Sequence, residues 1–157
     1  MVLANNDIEL MEAIGRDVQK VIDQLADWIL GQITMSLLDN VYSFPEGNTY
    51  QRLEMDGGVL GSFTKEVNNF AGGFVEAKVF SDPSRMIWDG GMHQHGNSNT
   101  DRREEVLQDI ETGTNFDFGG NAAIPRPFWA IIENMVSDGT LDSVFESLML
   151  QNGINLV

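Results

Sequence analysis

Two histidines, His93 and His95, flank Gln94 inside a polar, glycine-rich stretch from Asp89 to Thr100. On an extended backbone, residues two apart point to the same side. Both imidazoles could therefore face one metal ion, with Asp89 and Asp101 close by in sequence. Three protein ligands are the usual minimum for such a centre, and the chain offers no third histidine and no cysteine. The plainer expectation is that His93 and His95 hydrogen-bond within the loop and shape it, with no metal bound.

Other chemistry is weakly encoded. Glu104-Glu105 and Asp109-Glu111 could serve as paired carboxylates, but neighbours on a helix face different ways, which makes poor acid–base pairs. Near a helix start, Glu104 and Glu105 suit the positive end of the helix dipole. No Gly-x-Ser-x-Gly nucleophile turn is present, and Gly57-Gly58 and Gly72-Gly73 lack the pattern and the lysine of a phosphate-binding loop. The expectation is a protein that is not an enzyme and carries no cofactor. Tyr50 and Arg52, two apart, can project together and brace a loop by stacking. Arg126, Phe128 and Trp129, within Pro125-Arg126-Pro127-Phe128-Trp129, place two large aromatics at a helix start, where core packing or local bracing is the expected role.

These residues need a scaffold, and the longest element in view runs from Asp7 to Asn40. Its apolar residues, among them Val18, Val21, Leu25, Ile29, Ile33 and Leu37, recur at steps of three and four, the spacing of one helix face. At about 1.5 Å per residue such a helix spans roughly 50 Å. Leu25 and Ile29 are expected near the centre of the core. Pro45 and Gly47 end the helical region. A hairpin is expected over residues 62–80: Ala71-Gly72-Gly73 signals the turn, and Val75, Ala77 and Val79 alternate with Glu76 and Lys78. After the loop 89–100, a short helix is expected from Asp101 to Thr112, capped by Asn99 or Thr100. Two C-terminal helices follow over 128–151, with Thr140 capping the second and Gly153 ending it. The fold class is α+β: a long N-terminal helix packed on a small antiparallel sheet, with short helices at the C-terminal end.

The 157 residues suit a single domain, and 42% hydrophobic with 21% charged residues indicates a globular chain. No apolar run is long enough to cross a bilayer, and the acidic start is unlike a signal peptide, so a soluble protein made in a cytoplasm is expected. Absence of cysteine excludes disulfides. A net charge of −15 opposes binding to bare nucleic acid or anionic membranes and suits partners with basic faces.

The order of signals resembles a known family. The long helix is followed by Val41-Tyr42, Tyr50-x-Arg52 and Leu60-x-Ser62. A hairpin, a histidine-bearing loop, a short acidic helix and Pro125-Arg126-Pro127-Phe128-Trp129 come next. This is similar to the neck proteins of tailed bacteriophages, the head–tail joining, tail-completion or minor tail proteins. In those a Tyr-x-Arg-Thr-Gly-x-Leu-x-x-Ser stretch follows the first helix and an Arg-Pro-Phe stretch opens the last. Here Leu53 stands where threonine is usual, and Glu54 to Gly58 are extra. The resemblance implies a structural virion protein, assembled in the host cytoplasm. It would form a homo-oligomeric ring between the capsid portal and the tail, touching portal or adaptor and tail proteins. DNA would pass through without specific binding. In such a ring Arg102 or Arg103 would pair with carboxylates of a neighbouring subunit. The alternatives from other classes are a small metal-dependent enzyme built on the His93-x-His95 loop, and a soluble adaptor protein.

Overall fold

The structure, a computed structural model, describes residues 7–43, 57–70, 74–87, 103–113 and 125–155. The fold is α+β, with a long N-terminal helix, a two-stranded antiparallel sheet and short C-terminal helices. Helix α1 runs Asp7–Leu37 without a break. Gly15 and Gly31 interrupt neither its register nor its surroundings. It continues as a π-helical turn, Leu38–Tyr42. There the Asn40 amide donates to the Ser36 carbonyl at 3.0 Å, the acceptor that the Asn40 main-chain N–H would use in an α-helix. The chain divides into two compact units, and α1 contributes to both.

The first unit takes α1 up to Gly31, residues 65–79 of the hairpin and residues 133–157. The hairpin strands are β1, Phe63–Phe70, and β2, Phe74–Ser81. These bounds agree with the hairpin expected over 62–80, and its Ala71-Gly72-Gly73 turn lies outside the described residues. β1 is tied to α1 by Lys65, whose Nζ lies 2.6 Å from Asp23 and 2.7 Å from Asp27. Asn69 adds a bond to Gln19 at 2.7 Å. The C-terminal helix, Thr140–Gln151, is joined to α1 by Asn152 donating to Gln24 at 2.8 Å. It ends as expected at Gly153, with φ +77°. Gly153 N bonds the Leu150 carbonyl and Ile154 N the Met149 carbonyl, the paired bonds of a Schellman motif. Thr140 is not its cap but its first residue: Gly139 holds the left-handed cap position, and the Asp138 carboxylate accepts the Thr140 N–H.

The second unit, residues 32–64 and 80–132, contains most of the deeply buried apolar side chains: Ile33, Leu37, Val41, Leu60, Met86, Ile110, Phe128 and Ile132. A four-residue helical turn α2, Val59–Ser62, precedes β1. Ser62 is fully buried; its hydroxyl donates to the Val59 carbonyl and so accepts from Ser81 at 2.8 Å. A 3-10 turn, Pro83–Arg85, follows β2. Helix α3 is Val106–Thr112, and α4 is Ala130–Ser137. With Thr140–Gln151 as α5, the set is complete among the described residues.

Three further expectations need correction. The helix expected from Asp101 begins only at Val106, with turns at 103–105. Glu104 and Glu105 just ahead of it are exposed and bury no apolar side chain, so little offsets the ordering of a longer helix. The helix expected from Phe128 starts at Ala130. The core centre is also displaced: Leu25 and Ile29 are half-buried, whereas Val21, Ile33 and Leu37 are fully buried. The stripe on α1 covers most of one side, and depth along it depends on which side chains come against it.

Candidate functional site

The site is the junction of three pieces of the second unit: the end of α1, the last turn of α3, and residues 125–129 ahead of α4. The last piece, Pro-Arg-Pro-Phe-Trp, has three main-chain N–H groups, since proline has none. All three are spent on α3. Arg126 N donates to the Ile110 carbonyl at 3.0 Å. Phe128 N and Trp129 N both donate to the Glu111 carboxylate, at 3.1 and 3.3 Å. The amides at a helix start have no partner within the helix. No Ser, Thr, Asp or Asn lies in this stretch to supply one, and Glu111 does so from another element. The negative charge also complements the positive end of α4.

The other side of the junction is held by α1. The Ser36 hydroxyl donates to the Phe128 carbonyl at 2.7 Å and accepts from Asn40 at 3.1 Å. Ser36 is 3% exposed. Arg126, 5% exposed, reaches back with Nη1 3.5 Å from the Val41 carbonyl at the end of the π-helical turn. The Phe128 ring, buried, meets the Phe63 ring edge to face, centroids 6.1 Å apart at 77°. Asp109 is also buried, one residue before the carbonyl that receives Arg126 N. Buried charge next to apolar contacts is expensive unless it is bonded, so this junction is specific in geometry as well as apolar.

Of the residues singled out from sequence, Arg126, Phe128 and Trp129 come together here. Arg103 is half-buried and donates through Nη1 to the Met86 carbonyl at 2.9 Å, bracing the turn ahead of α3. Tyr50, Arg52, His93, His95 and Arg102 lie outside the described residues, as do Asp89 and Asp101. Among the described residues no group of three His, Cys, Asp or Glu side chains is placed to hold a metal. Glu111 and Ser36 are the residues that sequence reasoning missed. The signal for Glu111 was indirect: a helix start with prolines and aromatics but no capping side chain needs an acceptor from elsewhere.

Electrostatics elsewhere follow from local bonds. Burial pulls the Lys65 ammonium down, but hydrogen bonds from Nζ to Asp23 and Asp27, with their charge, outweigh it and hold its pKa above the ordinary lysine value. Bonds from the Ser84 side chain and main chain hold the Asp82 carboxyl below its usual range, and those of Thr140 do the same for Asp138. No described helix is long and apolar enough to cross a membrane. No protein-family model, curated protein or solved structure matches the chain.

Proposed function

We propose that this chain is a structural protein of a tailed-bacteriophage virion, a ring-forming component of the neck that joins the capsid portal complex to the tail. The observation that carries the reading is the role of the Pro125–Trp129 stretch. It is part of the resemblance, it lies wholly within the described residues, and within the second unit it braces α3 against the end of α1: its main-chain N–H groups bond α3, and Arg126 and the Phe128 carbonyl bond α1. A brace of that kind presents the surrounding helices as rigid surfaces, which suits assembly. Large apolar side chains left exposed support the same reading: Ile14, Phe74, Val136 and Leu150 in the first unit, Met35, Leu38 and Ile87 in the second. The charge of −15 favours basic faces on neighbouring rings and keeps a passing genome from adhering.

The test is compositional and physical. Mass spectrometry of purified virions should find the protein in several copies per particle. Native mass measurement of the isolated protein, alone and with its portal and tail neighbours, should show a ring that forms or grows on mixing. Absence from virions overturns the proposal.

A further inference from the structure

We infer that the outer edge of β2 docks a second copy of this chain, the two β2 strands pairing antiparallel about Ala77. Among the described residues β2 has one strand neighbour, β1, in a two-stranded sheet. A sheet of two strands is marginal by itself, and each strand has a further edge of main-chain N–H and C=O groups. At the open end of the hairpin the Asp82 N–H donates to the Ser62 carbonyl, and the Phe63 carbonyl is turned to Arg85 instead. In an antiparallel ladder this direction alternates from residue to residue. On β2 the main-chain groups of Glu76 and Lys78 therefore face β1. Those of Val75, Ala77 and Val79 face the outer edge.

The side chains decide what fits there. Residues 75–79 read Val-Glu-Ala-Lys-Val, with opposite charges placed symmetrically about Ala77. The Glu76 and Lys78 side chains are 39% and 59% exposed, 3.5 Å apart. Antiparallel pairing centred on Ala77 sets each Glu76 opposite the other copy's Lys78, and each Val75 opposite a Val79. Centring on residue 76 instead sets Glu76 against Glu76, and centring on residue 78 sets Lys78 against Lys78. Parallel pairing in register does both. Like charges directly opposite are destabilising, which leaves the arrangement about Ala77. A lysine on a sheet edge ordinarily discourages pairing. Here the glutamate two residues away makes it a selector of partner and register. The segment is also neutral in a chain of net charge −15, so it adds nothing to the general repulsion between copies. The edge of β1 has no such symmetry: Lys65 is already held by Asp23 and Asp27. The β2 contact is isologous and closes at two copies, separate from the heterologous contact that a neck ring requires.

Sedimentation equilibrium of the full chain tests this. Wild type should show a monomer–dimer equilibrium that weakens with added salt. Lys78→Glu and Glu76→Lys should each weaken self-association by at least about tenfold, since two opposite-charge pairs become like-charge pairs. An equimolar mixture of the two variants should dimerise again, because each restores the other's complement. The chain has no cysteine, so Ala77→Cys introduces a single thiol. Directly opposed residues of a bonded pair have Cα atoms about 5.5 Å apart, within reach of a disulfide. Oxidation should link Ala77→Cys into a dimer. It should leave Val75→Cys unlinked, its counterpart lying about 13 Å along the strand. A wild type that stays monomeric up to about 1 mM overturns the inference. So do unchanged association in both charge variants, no recovery on mixing, or equal cross-linking of the two cysteines. Ala77→Cys, a small change at a half-buried position, decides the matter should a charge variant fail to fold.

Discussion

The Ser36 hydroxyl donates to the Phe128 carbonyl across 2.7 Å, joining residues 92 positions apart in the chain. Both are buried. Removing the donor leaves a buried carbonyl short of a partner and also frees the Asn40 amide from one of its two acceptors. Ser36→Ala should lower stability by about 1–3 kcal/mol, measured by urea unfolding. A change within about 0.5 kcal/mol, the range of ordinary surface substitutions, would mean that water replaces the hydroxyl and that the junction is looser than described.

Ile33 and Leu25 make a paired test of where the core lies along α1. Ile33 is fully buried and Leu25 only half so. Ile33→Ala should cost about 2–5 kcal/mol, and Leu25→Ala clearly less. The reverse order in denaturant midpoints would restore the core centre to Leu25 and Ile29.

The same pair shows what could be read from sequence. Steps of three and four along α1, and alternation in β2, were enough for the helix, the hairpin and the α+β class, because each depends on a local period. Depth of burial is not local: the stripe marks a side, and the neighbouring elements decide which of its members are sealed. Glu111 illustrates the other limit. On α3 it looks like one more surface carboxylate, and only the approach of residues 126–129 gives it two N–H donors. Phe128 and Trp129 stood out as two large aromatics at a helix start, and Arg126 as part of the Arg-Pro-Phe stretch of the resemblance. Their partners Ser36 and Ile110 carried no such mark.

Lys65 predicts an alkaline effect. Its folded pKa is raised above the unfolded value. The stabilisation is therefore complete below the ordinary lysine pKa of about 10.4 and is lost as pH rises through the folded value. Asp23 and Asp27 are about half exposed or more, so the pair contributes on the order of 0–1 kcal/mol. The difference in unfolding free energy between wild type and Lys65→Met should be small and flat at neutral pH and shrink towards zero in strong alkali. A difference that grows with alkalinity would contradict the pairing.

Asp138 predicts the opposite limb. Its folded pKa is lowered by the Thr140 bonds. The carboxylate thus stabilises the start of α5 above its unfolded value of about 3.9 and ceases to do so as pH falls through the folded value. Asp138→Ala should be less stable than wild type at neutral pH, and the two should converge in acid. Circular dichroism melts at both limits check this; a gap that persists in acid would assign the loss to backbone propensity.

Gly57 sits at φ +89°, and a Cβ there would meet the Ile87 side chain. Its carbonyl also receives the Ile87 N–H at 2.8 Å, so the glycine cannot simply move away. Gly57→Ala should destabilise by about 1–3 kcal/mol. Equal melting temperatures for the two proteins would show that the turn relaxes.

The two prolines ahead of α4 act as spacers in a donor pattern. Donors stand at 126, 128 and 129 and blanks at 125 and 127. Sliding this stretch by one residue in either direction brings a proline to the Ile110 carbonyl, which then receives nothing, and takes the Phe128 ring away from Phe63. The stretch therefore fits α3 in one alignment only, like a key whose gaps matter as much as its teeth. A one-residue insertion at 125–129 would be rejected by the missing donors even where its side chains could be accommodated.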